Sequence, residues 1–255
     1  MRPFAVVLGS GTSNGVPSPS KDYPPEFLAN PKNHRTRSSI ALCGLNGNVL
    51  VDCSPEMRIQ TLREGIKCIE ACIITHTHAD HIMGMDDLRS FCREGSDKQM
   101  PVYTSPQYQE DIRRVFAYAF EPSIPGVWVP RFDLRDVEPE LELGGMKIQT
   151  FWVDHGATKV LGLRCNDFAY MTDVNNIPVE ARAKLDRLDT LVMDAVRLRP
   201  HPNHFHLDRA IEVAQEIGAR QTYFTHLSDD YDHEATNREL PPGIQLSYDG
   251  LRIPL

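Results

Sequence analysis

The chain has 255 residues with 27 Lys or Arg and 35 Asp or Glu, so its formal net charge at pH 7 is −8. A hydrophobic fraction of 41% and a charged fraction of 24% exclude disordered and collagen-like chains. The acidic balance argues against a general nucleic-acid binder, which needs a basic surface. It does not exclude a small phosphorylated substrate, because a local site can oppose the overall charge.

Short and alternating apolar runs predict a series of β-strands with helices between several of them. Helices are expected to begin near Pro55, Pro106 and Pro178 and to span Leu207–Ile217, and proline-rich stretches at 17–25 and 122–130 are expected to be surface loops. The predicted strands are Pro3–Leu8, Ser39–Cys43, Val49–Asp52, Ala71–Thr75, Val102–Tyr103, Met146–Val153, Val160–Cys165, Phe168–Met171, Thr190–Asp194, Gln221–Thr225 and Leu251–Ile253.

The order of these elements predicts the fold class. Strands come first, then strand–helix units, then further strands and further strand–helix units. This order favours an α/β fold in which two mixed β-sheets pack together and helices flank them, a four-layer αββα sandwich, over one doubly wound sheet. Without a linker or an internal repeat, residues 1–255 are expected to form a single domain.

The sequence also indicates a compartment. No apolar run approaches the roughly 20 residues of a membrane span, and the first residues fit a strand better than a secretory signal. The cysteines form no Cys-x-x-Cys pair, so free thiols and a cytoplasmic location are expected. These cysteines are Cys43, Cys53, Cys68, Cys72, Cys92 and Cys165.

The strongest functional signal is the segment His76-Thr77-His78-Ala79-Asp80-His81. It places four potential metal ligands within six residues, directly after a predicted buried strand. Imidazole and carboxylate together suit Zn²⁺, Mn²⁺ or Fe, and the residue types do not choose among these metals. We therefore predict that His76 and His78 face one metal and that Asp80 and His81 face a second.

Two metals need more ligands, and three further residues stand where predicted strands end. His155 follows the apolar stretch at 148–153, Asp173 follows the strand ending at Met171, and His226 follows Thr225. Strand ends are the usual place for functional groups on a rigid scaffold. A carboxylate such as Asp173 can bridge two cations.

These residues resemble the metal ligands of the metallo-β-lactamase superfamily of dinuclear hydrolases. The resemblance is greatest to the PhnP-type branch, named for a phosphodiesterase that acts on phosphoribosyl 1,2-cyclic phosphate. It spans nearly the whole chain, but these hydrolases share one metal cage across many chemistries. Further matching segments lie at 9–17, 35–39, 52–58, 225–228, 240–243 and 248–250.

The resemblance implies a role for each ligand. His76, His78 and His155 would bind the first divalent metal ion, Asp80, His81 and His226 the second, and Asp173 would bridge them. Asp80 would also serve in catalysis, and Asp52 would steady the histidine segment through hydrogen bonds from behind the ligands. A homodimer is a further expectation from the family.

A dinuclear site implies a reaction class. Two cations a few ångströms apart can lower the pKa of a shared water so that hydroxide attacks a phosphoryl group. The leaving alkoxide then needs a proton from a positioned acid. In the resembled phosphodiesterases a histidine near a His-x-x-Leu-x-x-x-Ala pattern lies by the leaving group. His204 fits this pattern best, with His206 as the close alternative and His201 the weakest candidate.

A phosphate substrate also needs an anchor away from the metals. Arg35 and Arg37 lie in a segment that is basic within an acidic protein, and the glycine-rich segment 9–15 could offer free amides. By family likeness His233 could also reach the substrate, as could His206. We therefore predict substrate contacts from Arg35, Arg37, His206 and His233.

One segment departs from the family pattern. Relatives often carry a cysteine-rich insert after the first glycine segment, which holds a structural zinc, but residues 18–27 contain no cysteine here. We therefore predict that this third zinc is absent and that substrate preference differs.

The predicted function is hydrolysis of a small cyclic or nucleotide-like phosphodiester by a dinuclear metal site. A thioesterase or another metallo-hydrolase, and an oxygenase or binding protein of pyrroloquinoline quinone biosynthesis, remain alternatives on the same fold. A tRNA-processing nuclease would need a long insert, and the sequence shows none. We therefore expect a small-molecule substrate and neither bulk nucleic acid nor a membrane as partner.

Overall fold

The computed structural model describes residues 2–92, 99–122 and 126–255. Within these ranges, fourteen strands form two seven-stranded sheets. The strands are β1 Phe4–Gly9, β2 Ser39–Cys43, β3 Asn48–Val51, β4 Ala71–Ile73, β5 Met100–Thr104, β6 Phe132–Asp136, β7 Glu140–Leu143, β8 Met146–His155, β9 Thr158–Cys165, β10 Phe168–Met171, β11 Thr190–Asp194, β12 Gln221–Thr225, β13 Ile244–Leu246 and β14 Arg252–Pro254.

Both sheets are mixed. The first has the strand order β14-β1-β2-β3-β4-β5-β6, and the second has the order β13-β12-β11-β10-β9-β8-β7. In each sheet one half is antiparallel, and the other half is parallel, from β3 to β6 and from β10 to β13. The parallel halves need crossover helices, which cover the outer faces.

The helices are short and lie outside the sheets. One 3₁₀ segment spans Met85–Phe91, and another, Ala117–Ala119, extends the helix predicted after Pro106. The α-helices are α1 Pro25–Ala29, α2 Met57–Glu64, α3 Ala79–Ile82, α4 Pro106–Val115, α5 Val179–Arg182, α6 Leu207–Ile217 and α7 His233–Glu239.

Three apolar clusters hold the layers together. The central cluster joins side chains of both sheets, such as Val7 and Ile40 with Leu161 and Tyr170. The other two clusters lie between each sheet and its own helices. The predicted four-layer αββα sandwich is confirmed.

Several strands and one helix were not predicted from the sequence, and the reason is physical. Strands β6, β7 and β13 lie at or beside sheet edges and carry charged or polar side chains toward solvent, which disguises an apolar alternation. Helix α7 is polar along most of its length, so periodicity did not reveal it. The stretch at 17–25 is a loop until α1 begins at Pro25. Residues 123–125 of the other proline-rich stretch lie outside the described residues.

Six loops that follow strands meet at one end of the sandwich. They follow β3, β4, β8, β10, β11 and β12. At three of them the chain turns through a left-handed residue, with φ of 63° at Asp52, 50° at Asp173 and 58° at His226. Such conformations are unfavourable for side-chain-bearing residues and persist at functional sites when the surroundings enforce them. None of the helices in the described ranges has the length and apolarity of a membrane span.

A glycine supports the loop that carries the histidine segment. A Cβ on Gly84 would lie 1.9 Å from the carbonyl oxygen of Ser54, and the Gly84 amide donates to the Cys53 carbonyl. We expect Gly84→Ala to lower the free energy of unfolding by about 3 kcal/mol and the melting temperature by about 6–10 °C. Thermal unfolding followed by circular dichroism measures this shift. Gly65→Ala is the control, because a Cβ there meets nothing within 4 Å and costs only left-handed strain. Equal shifts for the two variants would contradict the packing argument.

Candidate metal centre

The histidine segment is fixed from behind by a buried carboxylate. Asp52 accepts hydrogen bonds from the Thr75 amide (2.8 Å), the Thr75 hydroxyl (2.9 Å) and Nδ1 of His81 (2.8 Å). Asp52 and His81 are fully buried. Helix α3 begins at Ala79, so Asp80 and His81 lie in its first turn and face the same side as His76. Asp52 therefore lies behind the histidine segment and is joined to it by three hydrogen bonds.

The histidines present their ring nitrogens in a consistent way. His81 donates from Nδ1 to Asp52, and His155 donates from Nδ1 to the carbonyl oxygen of Asn203 at 2.7 Å. Nδ1 of His76 lies 3.1 Å from the Thr75 hydroxyl, which itself donates to Asp52. In His81 and His155 the opposite nitrogen, Nε2, is therefore left as a lone-pair donor toward the centre, and Nε2 of His76 faces Nδ1 of His78 at 2.9 Å. This arrangement is typical of metal-binding histidines.

Two groups of potential ligands share Asp173, and a third group, Asp194, His204 and His226, lies beside them. In each group the ligand atoms lie within 4.8 Å of one another. One oxygen of Asp173 lies 3.3 Å from Nε2 of His81, and the other lies 3.4 Å from Nε2 of His226. The first group is His76, His78, His155 and Asp173, and the second is Asp80, His81, Asp173 and His226.

In the second group, buried ligand atoms without a hydrogen-bond partner indicate a cation site. Nε2 of His81, Nε2 of His226 and Oδ2 of Asp80 are buried without a hydrogen-bond partner in the described chain. Oδ2 of Asp80 lies 3.2 Å from Nε2 of His81 and 3.5 Å from Nε2 of His226. Ligands about 2.1 Å from a tetrahedral ion lie about 3.4 Å from one another. The unpartnered atoms are therefore spaced as a metal ion requires.

The electrostatics of the site also call for positive charge. Burial disfavours the imidazolium of His226, yet the carboxylates of Asp173, Asp80 and Asp194 outweigh burial and raise its pKa to about 9. Burial opposes charge on Asp173 as well, but His226 and His81 hold the pKa of that carboxyl well below its ordinary value. The buried carboxylates are thus stable as anions only beside positive partners, which protons or cations supply.

A second polar pair, not predicted from the sequence, lies beside the ligands. Asp194, at the end of β11, accepts a hydrogen bond from Nδ1 of His204 at 2.7 Å and another from the Val174 amide at 3.1 Å. The His204 ring stacks on His226 with centroids 4.8 Å apart and meets His155 edge-on at 4.4 Å. His204 therefore borders both ligand groups, and Asp194 orients it.

A signal for Asp194 was present in the sequence. It ends a buried strand in the same manner as the carboxylates of Asp52 and Asp173 follow theirs. Its partner His204 lies ten positions further along the chain, and only the folded loop brings the two together.

The predicted arginines are engaged inside the protein. Arg35 is buried, and its guanidinium donates to the carbonyl oxygens of Ser228 (3.2 Å) and Tyr231 (2.9 Å). Arg37 donates to the carbonyl oxygen of Ser13 at 2.8 Å and pairs with Glu56. The structure therefore places these guanidinium groups against protein acceptors on the loops around the site.

The glycine-rich segment 9–15 is likewise engaged. The Ser10 amide donates to Asp249, and the amides of Gly11 and Thr12 donate to carbonyl oxygens of Thr36 and Leu227. The Gly15 amide closes a turn onto Thr12. These four amides stabilise loop packing, so the segment does not offer them to an anion.

The remaining predicted histidines differ in surroundings. His206 is half-buried and directly precedes α6, without a side-chain hydrogen bond to that helix. His201 lies beside His204, with ring centroids 4.8 Å apart. His233 is buried against Tyr248, and burial, with Lys32 and Arg35 nearby, lowers its pKa to about 4. The His233 ring is therefore neutral at pH 7.

The loop without cysteine is held by polar contacts. Tyr23 donates from its hydroxyl to Asp229 at 2.6 Å, and the Lys21 ammonium donates to the same carboxylate at 2.9 Å. Tyr23 also stacks on Phe27 with centroids 5.2 Å apart. These contacts tie the loop at 18–27 to the loop that follows His226.

Asp52→Asn tests the support behind the ligands. The variant weakens the acceptor for His81 and Thr75, so we expect metal affinity to fall about 10–100-fold while the fold is retained. Competition with a chromogenic chelator measures this affinity. Asp22→Asn, on an exposed loop position, is the matched control and should bind metal as the unmodified chain does. Unchanged affinity in Asp52→Asn would contradict the supporting role.

Comparison with known proteins agrees with this geometry. The model of the beta-lactamase superfamily domain matches residues 47–227. An octanoyltransferase of Porphyromonas gingivalis is 32% identical over 251 residues, which cover 96% of this chain and 50% of that protein. The chain therefore spans about half the length of this curated relative.

Two solved structures are similar over their whole length. A new diphosphatase from the PhnP family is 38% identical with a TM-score of 0.90, covering 100% of this chain and 98% of that one. Zn²⁺-bound PqqB from Methylobacterium extorquens has a TM-score of 0.77 at 20% identity, covering 99% and 100%, and shows the shared fold. The chain belongs to the beta-lactamase superfamily, in its PhnP-like branch.

Proposed function

We propose that this chain is a metal-dependent hydrolase that cleaves a small cyclic or nucleotide-like phosphodiester. The main support for this proposal is that Asp173 belongs to two ligand groups that lie directly beside the Asp194–His204 pair. The similarity to a PhnP-family diphosphatase supports reaction at phosphorus.

The first ligand group would hold one divalent cation and the second group another, with Asp173 between them. Zn²⁺, Mn²⁺ and Fe²⁺ all suit imidazole and carboxylate donors. When bound, such cations polarise phosphoryl oxygens and lower the pKa of nearby water, which provides the nucleophile. Asp80 would hold the second cation and orient the attacking water, because its carboxylate is slightly exposed beside the ligands.

His204 is proposed to protonate the leaving oxygen. Its Nδ1 is held by Asp194, so Nε2 is the nitrogen available to a substrate. In the imidazolium form the proton on Nε2 passes to the leaving group, and Asp194 stabilises the positive charge before transfer. The rings of His201 and His206 lack a comparable carboxylate partner among the described residues, which favours His204 over both.

We propose that few side chains outside the metal centre contact the substrate. His206, directly before α6, and His233, the first residue of α7, follow His204 and His226 in the chain and are retained as candidates. Arg35 and Arg37 are proposed to act by shaping these loops, since their guanidinium groups already bind protein acceptors. A homodimer and a cytoplasmic location remain expectations from the sequence.

A second candidate reaction is cleavage of a phosphoanhydride bond, because the 38% identical relative is described as a diphosphatase. The same site would serve, but phosphate is a better leaving group than an alkoxide and depends less on a proton from His204. A thioester or lactam substrate would leave the Asp194–His204 pair without a clear purpose.

A turnover panel tests the proposal. Metal-free protein is reconstituted with Zn²⁺ or Mn²⁺ and offered bis-p-nitrophenyl phosphate, cyclic nucleotides, phosphoribosyl cyclic phosphate, inorganic diphosphate, a thioester and a β-lactam. We expect a phosphodiester to be preferred and chelation to abolish turnover. Preference for diphosphate would select the second candidate, and preference for the thioester or lactam would overturn both.

A further inference from the structure

An open groove lies beside the metal centre. It has a volume of about 630 Å³ and runs between the start of α4 and α5, across β8. Its walls are mostly apolar and include Tyr108, Phe151, Trp152 and Pro178. Small-molecule sites in proteins commonly have this size and this apolar lining with a few polar groups.

The groove is continuous with the metal ligands. A smaller depression of about 230 Å³ is lined by His76 and His78. The two depressions share Gln107, Tyr108 and Lys159 along their common border. A ligand whose reacting group lies at the metal centre can therefore extend along the protein surface into the groove.

Flat, fixed surfaces line the groove. Tyr108 is buried and donates from its hydroxyl to the carbonyl oxygen of Lys159, which fixes its ring at the border. The Phe151 ring packs so closely on Gly162 that a Cβ there would lie 2.2 Å from it. No ring in the described ranges stacks on Tyr108, Phe151 or Trp152. An accessible aromatic face can stack on a planar ligand. Trp152 is partly exposed and can offer such a face, whereas the buried Tyr108 and Phe151 form the floor and border of the groove.

The groove carries few charges, and one of its cations is unpaired. Lys159 and Lys184 line it, and only one carboxylate, Glu180, does so. The Lys159 ammonium pairs with Asp154, whereas the described chain provides no ion pair for Lys184. Lys184 is therefore free to interact with a ligand that extends along the groove, and its charge favours an anionic ligand only at longer range.

We propose that this groove binds a planar aromatic group of the substrate, such as a nucleobase or an aryl ester, while the phosphoryl group lies at the metal centre. The inference rests on the proposed function and narrows its substrate class. It assigns Trp152 and Tyr108 to substrate specificity.

Fluorescence gives a binding test that needs no turnover. The chain has two tryptophans, so the Trp128→Phe variant reports on Trp152 alone. In metal-loaded Trp128→Phe protein, adenosine 5′-monophosphate should quench the fluorescence, and ribose 5-phosphate, which lacks an aromatic base, should not. A response to octanoate without a response to the nucleotide would assign the groove to acyl chains and overturn the proposal. No response to the nucleotide would also overturn it.

Kinetics test the specificity directly. Bis-p-nitrophenyl phosphate and methyl p-nitrophenyl phosphate share a leaving group and differ in the retained group. Trp152→Leu should lower kcat/KM about 10-fold for the diaryl ester and leave the methyl ester unchanged. Trp128→Leu, which removes the other, exposed tryptophan, is the control and should change neither. Equal losses on both esters, or no loss, would contradict the proposal.

The two proposals fail in different ways. If the metal-loaded protein hydrolyses neither ester, the proposed function fails, while the nucleotide titration still tests the groove. If Trp152→Leu does not fold, Lys184→Glu replaces it, because Lys184 is partly exposed at the rim. Lys184→Glu should weaken nucleotide binding about 5-fold, and unchanged binding would count against the groove.

Discussion

Asp173→Asn is expected to remove both bound cations and to lower phosphodiester turnover at least about 1,000-fold. Asp173 is the one residue shared by the first two ligand groups, and its carboxylate lies 3.8 Å from Nε2 of His76 in the first group and 3.4 Å from Nε2 of His226 in the second. An amide keeps the size of the side chain but loses the negative charge that offsets two cations. Metal content by mass spectrometry and turnover of bis-p-nitrophenyl phosphate measure the two effects.

The control for this variant is Asp22→Asn, which makes the same chemical change at an exposed position. It should keep full metal content and full turnover. If Asp173→Asn retained both metals, Asp173 would not bridge them, and the dinuclear arrangement would have to be abandoned.

His204→Ala is expected to lower kcat by about 100- to 10,000-fold on substrates with alkoxide leaving groups and to leave metal content unchanged. The reason is that His204 lies against both ligand groups but is held by Asp194. Discontinuous assays that quantify the product formed from a cyclic nucleotide measure kcat. On p-nitrophenyl esters the loss should be much smaller, because that leaving group needs no proton.

Asp194→Asn should reproduce part of this loss, since it removes the charge that stabilises the protonated ring. His201→Ala is the matched control, because His201 adjoins His204 without a carboxylate partner in the described chain. Loss of metal from His204→Ala, or equal losses for alkoxide and p-nitrophenolate leaving groups, would refute the role of His204 as the acid.

The fold and the candidate ligands could be predicted from the sequence because the patterns that indicate them are local. The segment from His76 to His81 is continuous, and His155, Asp173 and His226 each follow a strand whose apolar pattern is readable. Loops after strands of packed sheets converge at one end, so strand ends indicate candidate ligands. The resemblance to the metallo-β-lactamase superfamily then suggested how they group.

The other features of the site depend on contacts that cannot be inferred from the spacing of residues in the sequence. Arg35 and Arg37 form a basic stretch, but only the fold shows that carbonyl oxygens and Glu56 already occupy their guanidinium groups. The sequence identifies Asp194 only as the end of a strand. Its pairing with His204 arises because the loop after β11 folds back toward Asp194. Strand β7 alternates Glu with Leu at a sheet edge, where polar side chains face solvent.

The most direct test of the dinuclear site is a titration of metal-free protein with Zn²⁺ or Mn²⁺, followed by bound metal per chain and by phosphodiester turnover in the same samples. We predict that binding saturates at two ions per chain and that turnover reaches its maximum only with the second ion. Saturation at one ion, or phosphodiester turnover that persists in the metal-free protein, would contradict the proposed metal centre.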